Sequence, residues 1–254
     1  MELDLTKADT ARMIDYWLGG SHNFEVDRIA AEKVAALTPS APNWVRAQRT
    51  FLQQAVRYIA EVGGIDCFLV AGAGLPTCGN VHEVMPQARV IYTDINPVTI
   101  AYGRNIIGDN PNVRYVHCDA TKLYELDPGL LRETFGDGKP IGIVFIGLAY
   151  FLPDLVLSQS LSRMYEWAVP GSYLAISMIG REAEQFAADS VAIYAKMGNP
   201  LFPRAPGELM NLLRPWQPVP PGVAPATYWG NGHVVDTREP TFVYGCICLK
   251  AVTA

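Results

Sequence analysis

Apolar residues in the first sixty positions of the chain recur at intervals of three and four, which is the period of an amphipathic helix. From Ile65 the pattern changes to short apolar runs of strand length, separated by amphipathic stretches. The predicted strands cover residues 67–71, 89–93, 113–117, 141–146, 173–178 and 241–249. Because strands and helices alternate, the sequence predicts an α/β fold with a mostly parallel sheet and helices on both of its faces.

Two of the intervening helices have recognisable ends. Asn96 and Pro97 suit the N-cap and the first helical position, and this helix is expected to end at Gly108. The second is predicted over residues 153–167, before Pro170 and Gly171. A further helix is predicted over residues 182–197, followed by a proline-rich tail.

Composition limits the function classes. Half of the 254 residues are apolar and 18% are charged, which predicts one compact domain, with residues 1–60 as an N-terminal helical lid segment and residues 61–254 as the core. The net charge is −5 and no run of Lys or Arg occurs, so a nucleic-acid partner is not expected. The longest apolar run is shorter than the roughly 20 residues that span a bilayer, and the N-terminal residues are acidic, so a cytoplasmic protein without membrane contact is expected. The five cysteines lack the spacing of metal ligands, so no metal is predicted.

The first predicted strand runs into two glycines, Gly72 and Gly74, that permit a tight turn and a close approach of the backbone to a ligand. Thr77 stands where a dinucleotide motif has its third glycine, so a dinucleotide is disfavoured. Asp94 and Asp119 end the next two strands, where carboxylates could accept hydrogen bonds from ribose hydroxyls and an adenine amine. Each aspartate alone could equally be a helix cap. Together with the turn they favour a nucleoside, and a nucleoside without a pyrophosphate motif points to S-adenosylmethionine.

Two long segments resemble motifs of one family of S-adenosylmethionine-dependent methyltransferases. Residues 11–28 have the sequence A-R-M-I-D-Y-W-L-G-G-S-H-N-F-E-V-D-R, against A-R-x-Y-D-Y-x-L-G-G-K-D-N-F-x-x-D-R in the family. Residues 68–83 have the sequence F-L-V-A-G-A-G-L-P-T-C-G-N-V-H-E, against F-L-D-I-G-T-G-L-P-T-x-x-N-V-H-E. The resemblance implies a class I methyltransferase-like (Rossmann-like) sheet, with the Leu-Gly-Gly segment folded over the cofactor.

The chain departs from this family at several positions around the expected cleft. Val70 replaces an Asp that would balance the positive charge of the methionine part of the cofactor, and loss of such a partner costs roughly 1.5–3 kcal/mol. Ser21 and His22 replace a Lys-Asp pair, and Tyr150 and Met178 each stand where the family has a His.

Three interpretations therefore stay open. In the first, the protein methylates a small molecule, in natural-product biosynthesis, with Gly72, Gly74, Asp94 and Asp119 binding S-adenosylmethionine. In the second, the fold is retained but the cleft catalyses an intramolecular cyclisation or elimination, which Val70 favours. In the third, the chain is a non-catalytic subunit that supports a partner protein, and a homodimer is also open.

Candidate catalytic and substrate-binding residues follow from the same motifs. His22, Tyr16 and Tyr150 are the predicted catalytic residues, with His22 preferred because it lies in the glycine-flanked motif and histidine titrates near neutrality. The predicted acceptor pocket comprises Trp17, Met178 and Trp216, together with the two tyrosines. Three further groups are candidates for proton transfer, namely Asp15, His82 and His233. His82 and Glu83 lack the second His of a zinc-protease motif, so a short helical element beneath the turn is favoured for them.

Overall fold

The structure, a computed structural model, describes residues 6–183, 200–229 and 242–252. The predicted helix over residues 182–197 falls almost entirely outside the described residues, and so does His233. In the described part, helices lie on both faces of one sheet, as the alternating pattern predicts.

Eight strands form this sheet in the described part of the chain, in the order β3-β2-β1-β4-β5-β8-β6, with β7 paired to β8. Strands β1 to β5 are parallel to one another, and β8 is antiparallel to β5. The prediction of a mostly parallel sheet is confirmed, and each of the six predicted strands lies within two residues of an observed one. The strands are β1 (Cys67–Val70), β2 (Arg89–Asp94), β3 (Val113–His117), β4 (Gly142–Phe145), β5 (Tyr173–Ile179), β6 (Gln217–Pro218), β7 (Ala224–Pro225) and β8 (Val243–Leu249).

Side-chain caps account for where several helices begin. The Asn96 side chain accepts a hydrogen bond from the Val98 N–H at 2.9 Å, which is the predicted cap of α5. Asp127 caps α6, a helix that the hydrophobic pattern alone did not reveal. The helices of the described residues are α1 (Thr10–Trp17), α2 (Glu25–Leu37), α3 (Ala41–Gly63), α4 (Val81–Val84), α5 (Pro97–Ile107), α6 (Pro128–Phe135), α7 (Asp154–Trp167) and α8 (Pro206–Leu212), with short 3-10 helices at Ala120–Glu125, Ala149–Phe151 and Ala226–Tyr228.

The two faces of the sheet carry separate hydrophobic cores. Helix α3 packs on one face, where its buried Phe51 side chain lies against the backbone of Gly245 in β8. Helix α7 packs on the other, through residues such as Leu157 and Leu161. Successive residues of a strand point to opposite faces, so each buried side chain is assigned to one core by its place in the strand.

This alternation corrects two of the predicted pocket residues. Ile179 in β5 faces the α3 side, so Met178 faces the α7 side, where it is fully buried. Trp216 lies in the same core as Met178, and its indole N–H donates to the Leu161 carbonyl at 2.9 Å. Met178 and Trp216 therefore belong to the core behind the sheet, and the prediction that they line an acceptor pocket is wrong.

Candidate active site

The strand order reverses between β1 and β4, and ligands of open α/β sheets bind outside the carboxyl ends of the strands at such a point. The glycine turn follows β1 at this place. Gly72 and Gly74 have φ angles of +54° and +61°, in the left-handed region that favours glycine. A Cβ atom on Gly72 would come within 2.7 Å of the Leu148 side chain, so the turn also has no room for a larger residue there.

Asp94 is in direct contact with this turn. Its Oδ2 accepts a hydrogen bond from the Gly74 N–H at 3.0 Å, and its Oδ1 accepts from the Asn96 N–H at 2.9 Å. Cys118 donates its N–H to the Asp94 carbonyl at 3.0 Å, which brings the end of β3 and the following Asp119 to the same edge of the sheet. The structure thus brings together the glycines and the two strand ends that the sequence analysis selected.

Asp119 serves as the cap of the 3-10 helix that follows it. Its Oδ1 accepts from both the N–H and the hydroxyl of Thr121, each at 2.8 Å. These bonds engage one carboxylate oxygen and leave Oδ2 without a hydrogen bond among the described residues. Capping is thus observed, and a role in binding adenine stays a prediction.

A cavity of about 240 Å³ lies beside the glycine turn. Of the predicted site residues, Trp17, Tyr150, Gly72 and Gly74 border it, whereas Asp94, Asp119 and His22 do not. Most of its wall is apolar. The wall is formed by residues of α1 and α3, the turn after β1, the segment after β4 and the end of β5.

Tyr150 and Gln48 of α3 form a hydrogen-bonded polar pair on this wall. The Gln48 amide nitrogen lies 3.2 Å from the Tyr150 hydroxyl, and that hydroxyl lies 3.4 Å from the amide oxygen of Gln48. Both side chains meet at Gly147, where a Cβ atom would lie 2.9 Å from the Gln48 oxygen. The pair can exchange hydrogen bonds with a ligand inside a mostly apolar space.

Val70, which stands in place of the family's acid, borders the cavity and is 3% exposed. It packs in the same core as Val144 of the neighbouring strand. The described residues that border the cavity include no Asp or Glu, and the single formal charge among them is on Arg49. Arg49 lies on α3 and was missed by the sequence analysis, since nothing in its local pattern separates it from a surface arginine.

Asp15 links the N-terminal motif to the glycine turn. Its Oδ2 accepts from the His22 N–H at 2.7 Å and from the Asn23 side-chain amide at 2.9 Å, and its Oδ1 accepts from the Thr77 hydroxyl at 2.7 Å. Its side chain is 1% exposed and does not border the cavity. Asp15 therefore acts as a structural acceptor that joins the segment after α1 to the turn, rather than as a free proton-transfer group. The one sequence feature that could have indicated this link is Thr77, whose hydroxyl group stands where a dinucleotide motif has its third glycine.

A second buried carboxylate joins α1 to α2. Asp27 forms an ion pair with Arg12 at 2.8 Å, and both side chains are almost fully buried. Asp27 also accepts from the N–H groups of Asp9 and Phe24, each at 2.9 Å. Burial alone would raise the pKa of Asp27, but these hydrogen bonds outweigh it and hold the pKa below its ordinary value. Hydrogen bonding to Asp27 thus fixes the relative positions of Arg12 and Phe24 within the N-terminal motif.

Two of the predicted catalytic residues lie outside the cavity. The Tyr16 hydroxyl donates to Glu32 of α2 at 3.0 Å on the exposed side, and this bond raises the pKa of the hydroxyl. The His22 ring packs edge-on against Tyr102, with Nδ1 3.4 Å from the Tyr102 hydroxyl. The assignment of Tyr16 to the acceptor pocket is therefore corrected, because α1 turns that side chain toward α2. For His22, the structure gives no contact with the cavity.

His82 and Glu83 lie in α4, the short helical element expected after the turn. The His82 Nδ1 is 2.8 Å from the Tyr92 hydroxyl, which also accepts from the His82 N–H at 3.0 Å. Burial lowers the pKa of His82. His82 does not border the cavity, so its contacts with Tyr92 support a packing role.

A glycine substitution tests the Asp15 link. A Cβ atom on Gly20 would overlap the Asp15 carboxylate, so Gly20→Ala is expected to lower the free energy of unfolding by about 1–3 kcal/mol, the usual cost of overpacking. Gly207→Ala is the matched control, since no atom lies within 4 Å of the added methyl group. Urea denaturation of both variants measures the difference. Equal free energies of unfolding for the two variants would show that the present position of the Asp15 carboxylate does not contribute to stability.

A family assignment follows from comparison with known proteins. The sequence model of the S-adenosyl methyltransferase family matches residues 1–251. The chain belongs to the S-adenosyl methyltransferase family. Membership indicates an enzyme that uses S-adenosylmethionine as the methyl donor in general, and it agrees with the glycine turn at the switch point of the sheet. No protein of curated function matches the chain significantly.

Solved structures support the same assignment. The chain is similar to a proposed methyltransferase from Thermobifida fusca YX, with 28% identity, a TM-score of 0.85 and coverage of 98% of this chain and 97% of that one. It is equally similar to a DUF574 family protein from Streptomyces avermitilis MA-4680, with 28% identity, a TM-score of 0.85 and coverage of 98% and 100%. A 1,6-didemethyltoxoflavin-N1-methyltransferase from Burkholderia thailandensis shares the fold at 17% identity, with a TM-score of 0.53 and coverage of 88% of each chain.

No helix in the described part of the chain is long and apolar enough to cross a membrane. The described residues also contain no group of three His, Cys, Asp or Glu side chains placed to hold a metal ion.

Proposed function

We propose that this protein transfers the methyl group of S-adenosylmethionine to a small, largely apolar molecule, in natural-product biosynthesis. The observation that carries the proposal is the hydrogen bond between Gly74 and Asp94, which places a carboxylate on the glycine turn at the edge of an apolar cavity. The apolar wall supports an apolar acceptor. A cytoplasmic location, a homodimer and a protein partner remain expectations.

The residues around the turn fit the nucleoside part of the cofactor. Each oxygen of an ionised carboxylate has two acceptor sites, so Asp94 can hold the Gly74 and Asn96 N–H groups and still accept from ribose hydroxyls. The adjacent Ile95 side chain is 64% exposed and offers an apolar surface for a flat base. Asp119 would accept from the exocyclic amine of adenine through Oδ2.

The cavity supplies positioning rather than proton transfer. When bound, S-adenosylmethionine supplies an electrophilic methyl group on a sulfonium ion. Trp17 and Phe151 contribute aromatic surface that excludes water, and Gln48 and Tyr150 can orient a polar atom of the acceptor. No carboxylate or histidine among the described residues borders this space, so the acceptor must react largely through proximity and desolvation.

A second candidate function has one observation in its favour. Val70 removes the acid that the family resemblance implies for the methionine part of the cofactor, and it leaves that wall apolar. An enzyme of the same fold that performs an intramolecular cyclisation or elimination would need no methyl donor. A non-catalytic subunit would need neither donor nor substrate.

Calorimetric titration separates these functions. S-adenosylmethionine and S-adenosylhomocysteine are each titrated into the full chain, and micromolar dissociation constants are expected for both. Absence of heat at millimolar ligand, checked at two temperatures, would contradict methyl transfer and leave the two alternatives. Turnover of a candidate substrate without added cofactor would then distinguish the remodelled enzyme from the subunit.

A further inference from the structure

Two residues of α3 that border the cavity each carry a buried hydrogen-bond donor without a partner among the described residues. The donors are Nη1 of Arg49 and the indole Nε1 of Trp44, and neither is hydrogen bonded to any described residue. Buried donors are almost always paired in folded proteins. Two unpaired donors on the wall of one cavity therefore indicate a ligand that brings acceptor oxygens.

Arg49 is the more informative of the two because it carries a charge. A guanidinium stays protonated in proteins, and an unpaired buried charge is costly. Burial lowers the pKa of the Arg49 guanidinium, and the charges of nearby Glu83 and Asp15 are among the groups that oppose this shift. Arg49 as a residue is half-buried and borders the cavity, and its Nη1 atom is fully buried.

The nearby acids are engaged elsewhere. The two oxygens of Asp15 accept from His22, Asn23 and Thr77. Glu83 accepts from the Gly79 N–H. Neither acid forms a hydrogen bond with Nη1 in the described part of the chain, so local ion pairing does not account for the position of this guanidinium.

The composition of the wall determines the charge of the ligand. Val70 occupies the place of the family's acid, and the described lining holds Arg49 without any Asp or Glu. The cavity wall therefore carries a net positive charge on a mostly apolar surface. A planar guanidinium matches a carboxylate in geometry, since its N–H groups can donate to both oxygens.

We propose that Arg49 is the carboxylate-binding residue of this cavity, a role that rests on the proposed methyl transfer. Either of two ligands could bring the carboxylate, namely the amino-acid end of the cofactor or an acidic acceptor. The cofactor is favoured, because Arg49 borders the same space as Gly72 and Gly74. In this arrangement the Arg49 guanidinium holds the carboxylate of the cofactor. The amine of the cofactor, which the family's acid would have bound, faces Val70.

The test compares two nucleosides that differ in the amino-acid end. S-adenosylhomocysteine carries the carboxylate, and 5′-methylthioadenosine lacks that end of the molecule. The native chain is expected to bind S-adenosylhomocysteine at least tenfold more tightly. Arg49→Gln should weaken S-adenosylhomocysteine at least tenfold and leave the affinity for 5′-methylthioadenosine unchanged, as measured by calorimetry.

Matched variants and a third probe make each outcome decisive. Arg46→Gln is the control on the same helix, since Arg46 is exposed and donates to Asn43, and it should change neither affinity. Arg49→Lys keeps the charge and should retain part of the preference, which shows that the fold is intact. Phenylacetate serves as a small apolar carboxylate, titrated alone and with S-adenosylhomocysteine present.

Arg49-dependent binding of phenylacetate with unchanged S-adenosylhomocysteine binding would assign the carboxylate to the acceptor and keep the site. Equal weakening of both nucleosides by Arg49→Gln would overturn the proposal, because it would indicate a disturbed cavity. So would the absence of any Arg49 effect on the three probes. If neither nucleoside binds the native chain, methyl transfer fails, and Arg49-dependent binding of phenylacetate alone decides whether the carboxylate site stands.

Discussion

Arg12→Met is expected to lower the free energy of unfolding by about 3–5 kcal/mol, the usual result of removing one partner from a buried ion pair. The Arg12 and Asp27 side chains are 4% and 0% exposed, and their contact joins α1 to α2. Methionine keeps much of the side-chain volume but leaves the Asp27 carboxylate buried without its cation. Guanidinium chloride unfolding, followed by circular dichroism, measures the change.

The control is Arg132→Met, which removes an ion pair with Asp137 of similar length, 2.7 Å, on the surface. Both of those side chains are more than half exposed, so the expected cost is below about 1 kcal/mol. A comparable cost for Arg12→Met and Arg132→Met would contradict the role assigned to the buried network.

Asp94→Ala is expected to weaken binding of S-adenosylhomocysteine by well over tenfold. The substitution removes the proposed acceptor of the ribose hydroxyls and also the partner of the Gly74 N–H. Hydrogen bonds to a charged group are worth about 1.5–3 kcal/mol, and 1.4 kcal/mol is a factor of ten in affinity. Calorimetry of the variant beside the native chain measures the loss.

Asp109→Ala is the matched control, because Asp109 is an exposed aspartate that follows α5. It should leave the affinity unchanged. An Asp94→Ala variant that binds as tightly as the native chain would remove Asp94 from the site, while leaving the assignment to the methyltransferase family in place.

The sequence predicted the strands well but did not predict which face each residue takes. The parallel strands are buried on both sides, so β5 is buried at every position and the order of its residues does not show which face each side chain takes. Met178 was placed in the pocket because it stands where the family has a His, whereas its neighbour Ile179 borders the cavity. Trp216 was placed there because large rings in the proline-rich tail can cover a pocket, but such a ring packs equally well in a core, and the structure places it behind the sheet.

The candidate site, too, could be predicted from the sequence only in part. Gly72, Gly74 and Asp94 could be selected because strand ends of a parallel sheet meet at one edge, and their positions follow from topology alone. Arg49 and the linking role of Asp15 could not be predicted, since their contacts depend on how α3 and the segment after α1 pack on the turn. Those are long-range contacts, which have no periodic signal in the sequence.

A crystal structure of the full chain with S-adenosylhomocysteine tests the central claim most directly. The account predicts a nucleoside against the Gly72–Gly74 turn, with ribose hydroxyls within hydrogen-bond distance of Asp94 and the amino-acid carboxylate within hydrogen-bond distance of Arg49. A nucleoside bound away from Asp94, or a cavity closed by Val70 and its neighbours at millimolar ligand, would contradict it.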